Sequence, residues 1–387
     1  MSRLILAALL WLPALPALAA PRVPADEREV LERLPLRPRD PAAAQLRELR
    51  AAAAAAPADP SAVVPLARRY FELAMAEGDP RYVGYAQAAL APWAGNDRAS
   101  AVILILRALL RQYRHDFEGA LADLALAAQR DPQNAEARAW RAAIFMVRAD
   151  YAAAARECAA LAALVDELQA TGCRAYVEAT TGKARSAYAR LLGALHRAPD
   201  AGAGQRLWIL TRLAEIAWRL GDAAAAERHF RDALAAGLTD NFLLAAYADF
   251  LLEQRRQREV IDLLQEHSRS DTLLLRLALA ERDLGLPGAA RRAQSLGERF
   301  AAAAARGERL HLAEEARYLL ELRADAPAAL AAAAENWDSQ REPRDALILL
   351  EAARAARNPV AAAPVLEWLV RTGFEHPRMR SLAADLR

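Results

Sequence analysis

The stretch Leu207–Asp240, LWILTRLAEIAWRLGDAAAAERHFRDALAAGLTD, decides the fold. Its first half sets Leu210, Leu213, Ala214, Ala217 and Leu220 on one face at helical spacing. Gly221-Asp222 interrupts that pattern, and Ala226, Phe230, Ala233 and Leu234 resume it with the same period. Two short helices joined by a tight turn, each with one apolar stripe, make an antiparallel hairpin. Small Ala214 and Ala226 let the two backbones approach, while Leu213 and Phe230 fill the space beside them.

The pattern recurs on both sides. Ala101–Asn134 carries Leu104, Ala108, His115-Asp116-Phe117 at the turn, Ala120, Leu124, Ala127 and a closing Pro132. The next unit follows with Ala142, Phe145, Ala149-Asp150-Tyr151, Ala154 and Cys158. Asn241 starts another with Leu244, Tyr247, Ala248 and Leu251, its turn carrying Arg255-Arg256 in place of Gly-Asp. The arrangement resembles the tetratricopeptide repeat, whose signature of an aromatic, a Leu-Gly pair, a Tyr, then Ala and Phe spans about 34 residues. In the central copy Leu210 stands for the aromatic, Ala214 for the Gly, Ala217 for the Tyr and Leu238 for the closing Pro. The resemblance implies an all-α fold, an α-solenoid of antiparallel helix hairpins coiled into a right-handed superhelix.

Eight units are expected, at residues 59–96, 101–134, 135–167, 168–206, 207–240, 241–270, 271–309 and 310–342. Beyond them, residues 343–387 read as capping helices, with stripes Ala346, Leu349, Leu350, Ala353 and Val365, Leu369 opened by prolines. At the other end, Arg3, the apolar run Leu4–Leu12 and Ala17-Leu18-Ala19 read as a signal peptide over residues 1–19. Residues 20–58, rich in Pro and Ala, read as a helical cap or tether. The chain is therefore expected to be exported, to the periplasm, with no transmembrane anchor after cleavage.

Composition agrees with this organisation. A chain of 387 residues, 55% of them hydrophobic, could bury several separate cores, but each hairpin hides its stripe only by stacking on the next. Period-two runs of Val, Ile and Thr are missing, which argues against sheet. The 51 basic and 49 acidic residues leave a net charge of +2, so no strong field points at nucleic acid. Lys183 is the only lysine. The arginines alternate with acids, as in Glu227-Arg228, Glu281-Arg282-Asp283 and Glu314-Glu315 beside Arg317, which reads as a solvated helix face.

Catalytic signatures are lacking. No Gly-rich phosphate loop, GxSxG elbow or HExxH motif occurs, and His311-Leu312-Ala313-Glu314-Glu315 lacks the second histidine of a zinc site. The six histidines show no ligand spacing. No metal, cofactor or catalytic residue is expected, and the chain does not read as an enzyme. Two functions remain: a scaffold holding a peptide, helix or partner protein in its concave groove, or an accessory subunit of an envelope-biogenesis or polysaccharide-export machine.

Two local expectations follow. Cys158 and Cys173 flank a turn near Val165-Asp166, so in an antiparallel pair they lie level; they are either bonded, as an oxidising compartment allows, or packed as two small buried thiols. In the repeat family the first helix of each hairpin lines the groove. Carried across, that register gives Ile105, Leu109, Tyr113, Met146, Val147, Tyr176, Trp208 and Glu215. It continues with Trp218, Phe242, Asp249, Leu275, Arg282, His311, Glu314 and Tyr318. Such an aromatic and aliphatic face with a few acids suits an amphipathic helix or an apolar extended segment, anchored on Trp208 and Trp218. The alternative is that the superhelix itself, or residues 21–60, covers these side chains.

Overall fold

In the computed structural model, the Gly221-Asp222 turn shows how each hairpin is made. Gly221 takes φ +84°, the left-handed region that glycine enters without strain. Its neighbour Asp222 donates its N–H to the Ala217 carbonyl at 2.9 Å, closing the first helix. The Asp222 carboxylate then accepts the Ala225 N–H at 2.9 Å and caps the second. Asp116, Asp150 and Asp325 cap in the same way. At those three turns the left-handed residue is His115, Ala149 or Ala324 instead of glycine.

The structure describes residues 41–309 and 311–386. The expected signal segment, residues 1–19, and the stretch 20–40 lie outside them. By compactness the chain divides into Met1–Gln45 and Leu46–Arg387, the division falling inside helix α1 (Pro41–Ala55). Leu46–Arg387 holds the helix hairpins.

Its hairpins follow one another in chain order. They are α2 (Pro60–Glu77) with α3 (Arg81–Ala89), α4 (Ala101–Tyr113) with α5 (Phe117–Arg130), and α6 (Ala135–Val147) with α7 (Tyr151–Leu161). Next come α8 (Glu167–Thr180) with α9 (Ala184–His196), α10 (Ala203–Arg219) with α11 (Ala223–Leu234), and α12 (Asn241–Glu253) with α13 (Gln257–Leu264). The last two are α14 (Asp271–Asp283) with α15 (Gly288–Ala305) and α16 (Leu312–Glu321) with α17 (Ala326–Ser339). The C-terminal helices are α18 (Pro343–Ala355), α19 (Ala363–Thr372) and α20 (Pro377–Asp385); α20 has no counterpart in the sequence reading. Among the described residues there is no strand.

Packing is neighbour to neighbour. Leu213, Ala214, Ala226, Phe230 and Ala233 are all fully buried between α10 and α11. Phe230 also reaches the next hairpin, its ring 5.1 Å from Tyr247 and 5.7 Å from Phe250. Burying such a ring contributes roughly 2–3 kcal/mol, so each stripe holds the following repeat as well as its own. Between the third and fourth hairpins the link is covalent: Cys158 on α7 and Cys173 on α8 form a disulfide, with Cα atoms 5.5 Å apart.

One feature exceeds nearest-neighbour stacking. Hairpin tips touch elements several hairpins further along the chain. The Gly78 turn lies against Ser270 and Asn241, where a Cβ on Gly78 would come within 2.7 Å of the Ser270 hydroxyl. Arg341 donates its N–H to the Val147 carbonyl at 2.8 Å. Trp368 Nε1–H bonds the Tyr151 hydroxyl at 2.8 Å, and the Glu375 carboxylate caps Ala184 N–H, at the start of α9, at 2.7 Å. The superhelix is thus closed upon itself.

Candidate functional site

Within Leu46–Arg387 lies a pocket of about 350 Å³. Its outer wall is the first helix of five consecutive hairpins, α8, α10, α12, α14 and α16; its inner wall is α18 and α20. Helix α18 turns Pro343, Arg344, Leu347, Ile348 and Glu351 toward the pocket. The opposite face, Ala346, Leu349, Leu350 and Ala353, is buried in the C-terminal core. An amphipathic helix therefore already occupies the concave groove, and it belongs to this chain.

Seven of the sixteen expected groove residues line the pocket: Tyr176, Glu215, Trp218, Phe242, Asp249, Leu275 and Glu314. The others do not. Ile105, Leu109, Met146 and Tyr318 are buried core, and Leu275, though on the wall, is itself fully buried. Helical spacing brought these five to the inner side, where neighbouring helices cover them. Tyr113 is half-buried, and burial pushes its hydroxyl up to about 12. Val147 lies at the closing contact with Arg341. Trp208 packs over Gly172, where a Cβ would stand 2.5 Å from the indole. Arg282 is exposed and pairs with Asp283 at 2.6 Å. His311 is half-buried and off the pocket wall. Of the two expected anchors only Trp218 faces the pocket, its Nε1–H bonded to Glu253 at 3.0 Å.

Ion pairs are interleaved with the aromatic and aliphatic side chains of the site. The Arg212 guanidinium lies 4.6 Å from the Tyr176 ring and 4.4 Å from that of Phe242, with Glu215 at 2.8 Å. Burial raises the Glu215 carboxyl above its ordinary range despite that partner. Asp249 holds both Arg276 (2.6 Å) and Arg317 (2.5 Å), which outweigh burial and keep it ionised. Arg317 also grips Glu321 at 2.6 Å. The interleaved charges of α14 and α16 are therefore a solvated face only in part: Arg282 and Asp283 are exposed, but Glu281 and Glu314 are 7% and 9% exposed. Long Arg stems reach back to acids on the adjoining helix, so charge here is satisfied between repeats.

Three charged groups on the wall lack an ion pair among the described residues: Arg219, Glu314 and Glu253, the last accepting the Trp218 indole N–H. Arg219 stacks on the Phe374 ring at 4.5 Å and donates to the Ala179 carbonyl at 3.3 Å, and burial lowers its affinity for its proton. Glu314 receives only the Thr272 hydroxyl, at 3.4 Å. Burial opposes its charge, but the fields of Arg344, His311 and Arg276 keep it below the usual carboxylate range. Beside Arg219, burial pushes the His376 imidazole down to about 4, so it is neutral. No group of three or more His, Cys, Asp and Glu side chains among the described residues could hold a metal ion.

Asp345, behind the pocket on α18, is 2% exposed and accepts the Glu342 N–H at 2.9 Å, while Oδ1 has no protein partner. Burial, with Glu342 nearby, raises its carboxyl from 3.8 to about 7. The unfolded chain releases this proton first, so the folded state loses stability as pH rises from about 4 through about 7. Asp345→Asn keeps the acceptor and carries no charge. Its melting temperature should exceed that of the parent by about 2–4 °C at pH 8 and match it at pH 4; an equal difference at both values would contradict the assignment.

The geometry defines a class, an α-solenoid of helix hairpins. Within that class the fold is the tetratricopeptide-repeat one. The APC/C hetero-tetramer Cut9–Hcn1 superposes with a TM-score of 0.50 at 14% identity, over 85% of this chain and 63% of that one. A tetratricopeptide repeat protein from Parabacteroides merdae gives 0.47 at 15% identity, over 62% and 92%. A Rap protein complexed with competence and sporulation factor gives 0.49 at 13%, over 89% and 93%. At such identities the likeness is one of fold alone. No protein-family model and no curated protein matches the sequence.

Proposed function

We propose that the chain is an exported, periplasmic interaction scaffold without catalytic chemistry, whose inner pocket holds a short segment of a partner protein. The observation that carries this reading is the convergence of five consecutive first helices on one pocket whose wall holds Arg219 and Glu314 without ion pairs. Charges held in a largely buried wall without an ion pair are costly, and a ligand supplying the complementary charge would gain part of that energy on binding. The pocket volume of about 350 Å³ suits a few residues; with α18 in the groove, an added helix about 10–12 Å wide has no room. The disulfide fits an oxidising compartment. No described helix is long and apolar enough to cross a membrane.

Affinity capture from the periplasm of the native cells, followed by mass spectrometry, tests the proposal. Ala246→Trp fills the pocket from its α12 wall, and Arg258→Ala alters an exposed position elsewhere. Partners should be recovered with the parent and Arg258→Ala chains and lost with Ala246→Trp. Recovery of the same partners by all three would sink the pocket assignment.

A further inference from the structure

The contacts that close the superhelix differ in kind from those that build it. Along the array, apolar side chains form continuous clusters, one from Ala53 to Ile144 and another from Leu168 to Ala280. While α16 stays joined to the preceding hairpins through Tyr318 against Phe300 and Arg317 against Asp249, helices α16–α20 share a core from Leu312 to Leu386. Across the turn, half-buried Ala149 and Tyr151 are the apolar side chains that join it. The remaining ties at that seam are the stacking of Arg219 on Phe374 and single polar bonds: Arg341 to Val147, Trp368 to Tyr151, Ala184 to Glu375, and Gln340 with His115 at 3.4 Å. Tip against tip, Gly182 meets Gly373 through backbone alone. On its other side α18 faces the pocket, so it is held at its ends and along one face, not all round.

Stability in a solenoid is a sum of repeat and nearest-neighbour terms. Breaking the seam therefore forfeits only the seam's own contacts and leaves every hairpin stacked. Units with a separate core and few shared apolar contacts are the ones that open below the global unfolding energy. We infer that α16–α20 lift off the tips of the third and fourth hairpins as one body, and that this opening admits the partner segment to the inner pocket. The second clause rests on the binding function proposed above; the first stands without it.

Two amides report the seam directly. Arg341 N–H and Ala184 N–H are each bonded across it, to the Val147 carbonyl and the Glu375 carboxylate. In full-length protein, hydrogen exchange resolved to single residues should give these two a common rate, about tenfold or more above that of the Leu213 and Phe230 amides inside α10 and α11. Tyr151→Phe removes the hydroxyl that Trp368 bonds and leaves the ring in place. It should speed both seam amides together by roughly three- to tenfold, the equivalent of one lost hydrogen bond, without changing Leu213 or Phe230. The inference is overturned if the seam amides exchange no faster than Leu213 and Phe230, or if Tyr151→Phe moves one and not the other. No partner enters the measurement, so its result is independent of what the affinity capture returns.

Discussion

Trp368→Ala is expected to be among the most damaging single substitutions in the chain, with a loss of about 3–5 kcal/mol. The indole is 1% exposed and central to the C-terminal core. It meets Trp337 edge-on at 5.9 Å and Phe374 at 5.1 Å, and its Nε1–H is satisfied by the Tyr151 hydroxyl. Truncation removes all three contacts and leaves a cavity in the C-terminal core, whose other members are fixed by their own packing. Trp368→Phe keeps a ring in the site and should cost markedly less. Urea unfolding followed by far-ultraviolet circular dichroism would measure both. A loss below about 1 kcal/mol for the alanine variant would mean that the C-terminal core is not packed as described.

Removing the disulfide should come next in size. Cys158 and Cys173 are 15 residues apart, and a closed loop of that length restrains the unfolded chain by roughly 3 kcal/mol. The bond also ties the second helix of one hairpin to the first helix of the next, beside a small apolar cluster that holds Ala154, Tyr151, Tyr176 and Val177. The Cys158→Ala, Cys173→Ala double variant should unfold at lower urea than the parent, and reductant should lower the parent to the same midpoint without affecting the variant. Two alkylatable thiols in the unreduced, denatured parent would refute the pairing.

Hairpin positions were legible in the sequence because what fixes them is local. A left-handed residue followed by a capping Asp or Asn is a signal within two positions, as at Gly221-Asp222 and Ala149-Asp150. The register carried over from the repeat resemblance puts Tyr176, Glu215, Phe242 and Asp249 on the groove face of successive first helices, and all four line the pocket. What covers that face is another matter. It depends on superhelical pitch, the sum of small rotations between repeats, and no residue pattern encodes the sum. Hence Ile105 and Leu109 read as groove although they are core, and the role of α18 as occupant of the groove went unseen. Arg212, Arg276 and Arg317 were missed for a related reason. Their partners Tyr176, Phe242 and Asp249 lie on other helices, and a run such as Glu-Glu-Ala-Arg looks the same in water as across a repeat boundary.

Closure of the superhelix also acts as a ruler on the number of repeats. An open solenoid can gain or lose a hairpin at small cost, because each repeat answers only to its neighbours. Here Gly78 must arrive at Ser270, Val147 at Arg341 and Gly182 at Gly373 together. Inserting or deleting one hairpin between α9 and α14 would rotate the later repeats out of phase and mismatch all three at once. Within this stretch the chain can drift residue by residue, yet its count of hairpins is held.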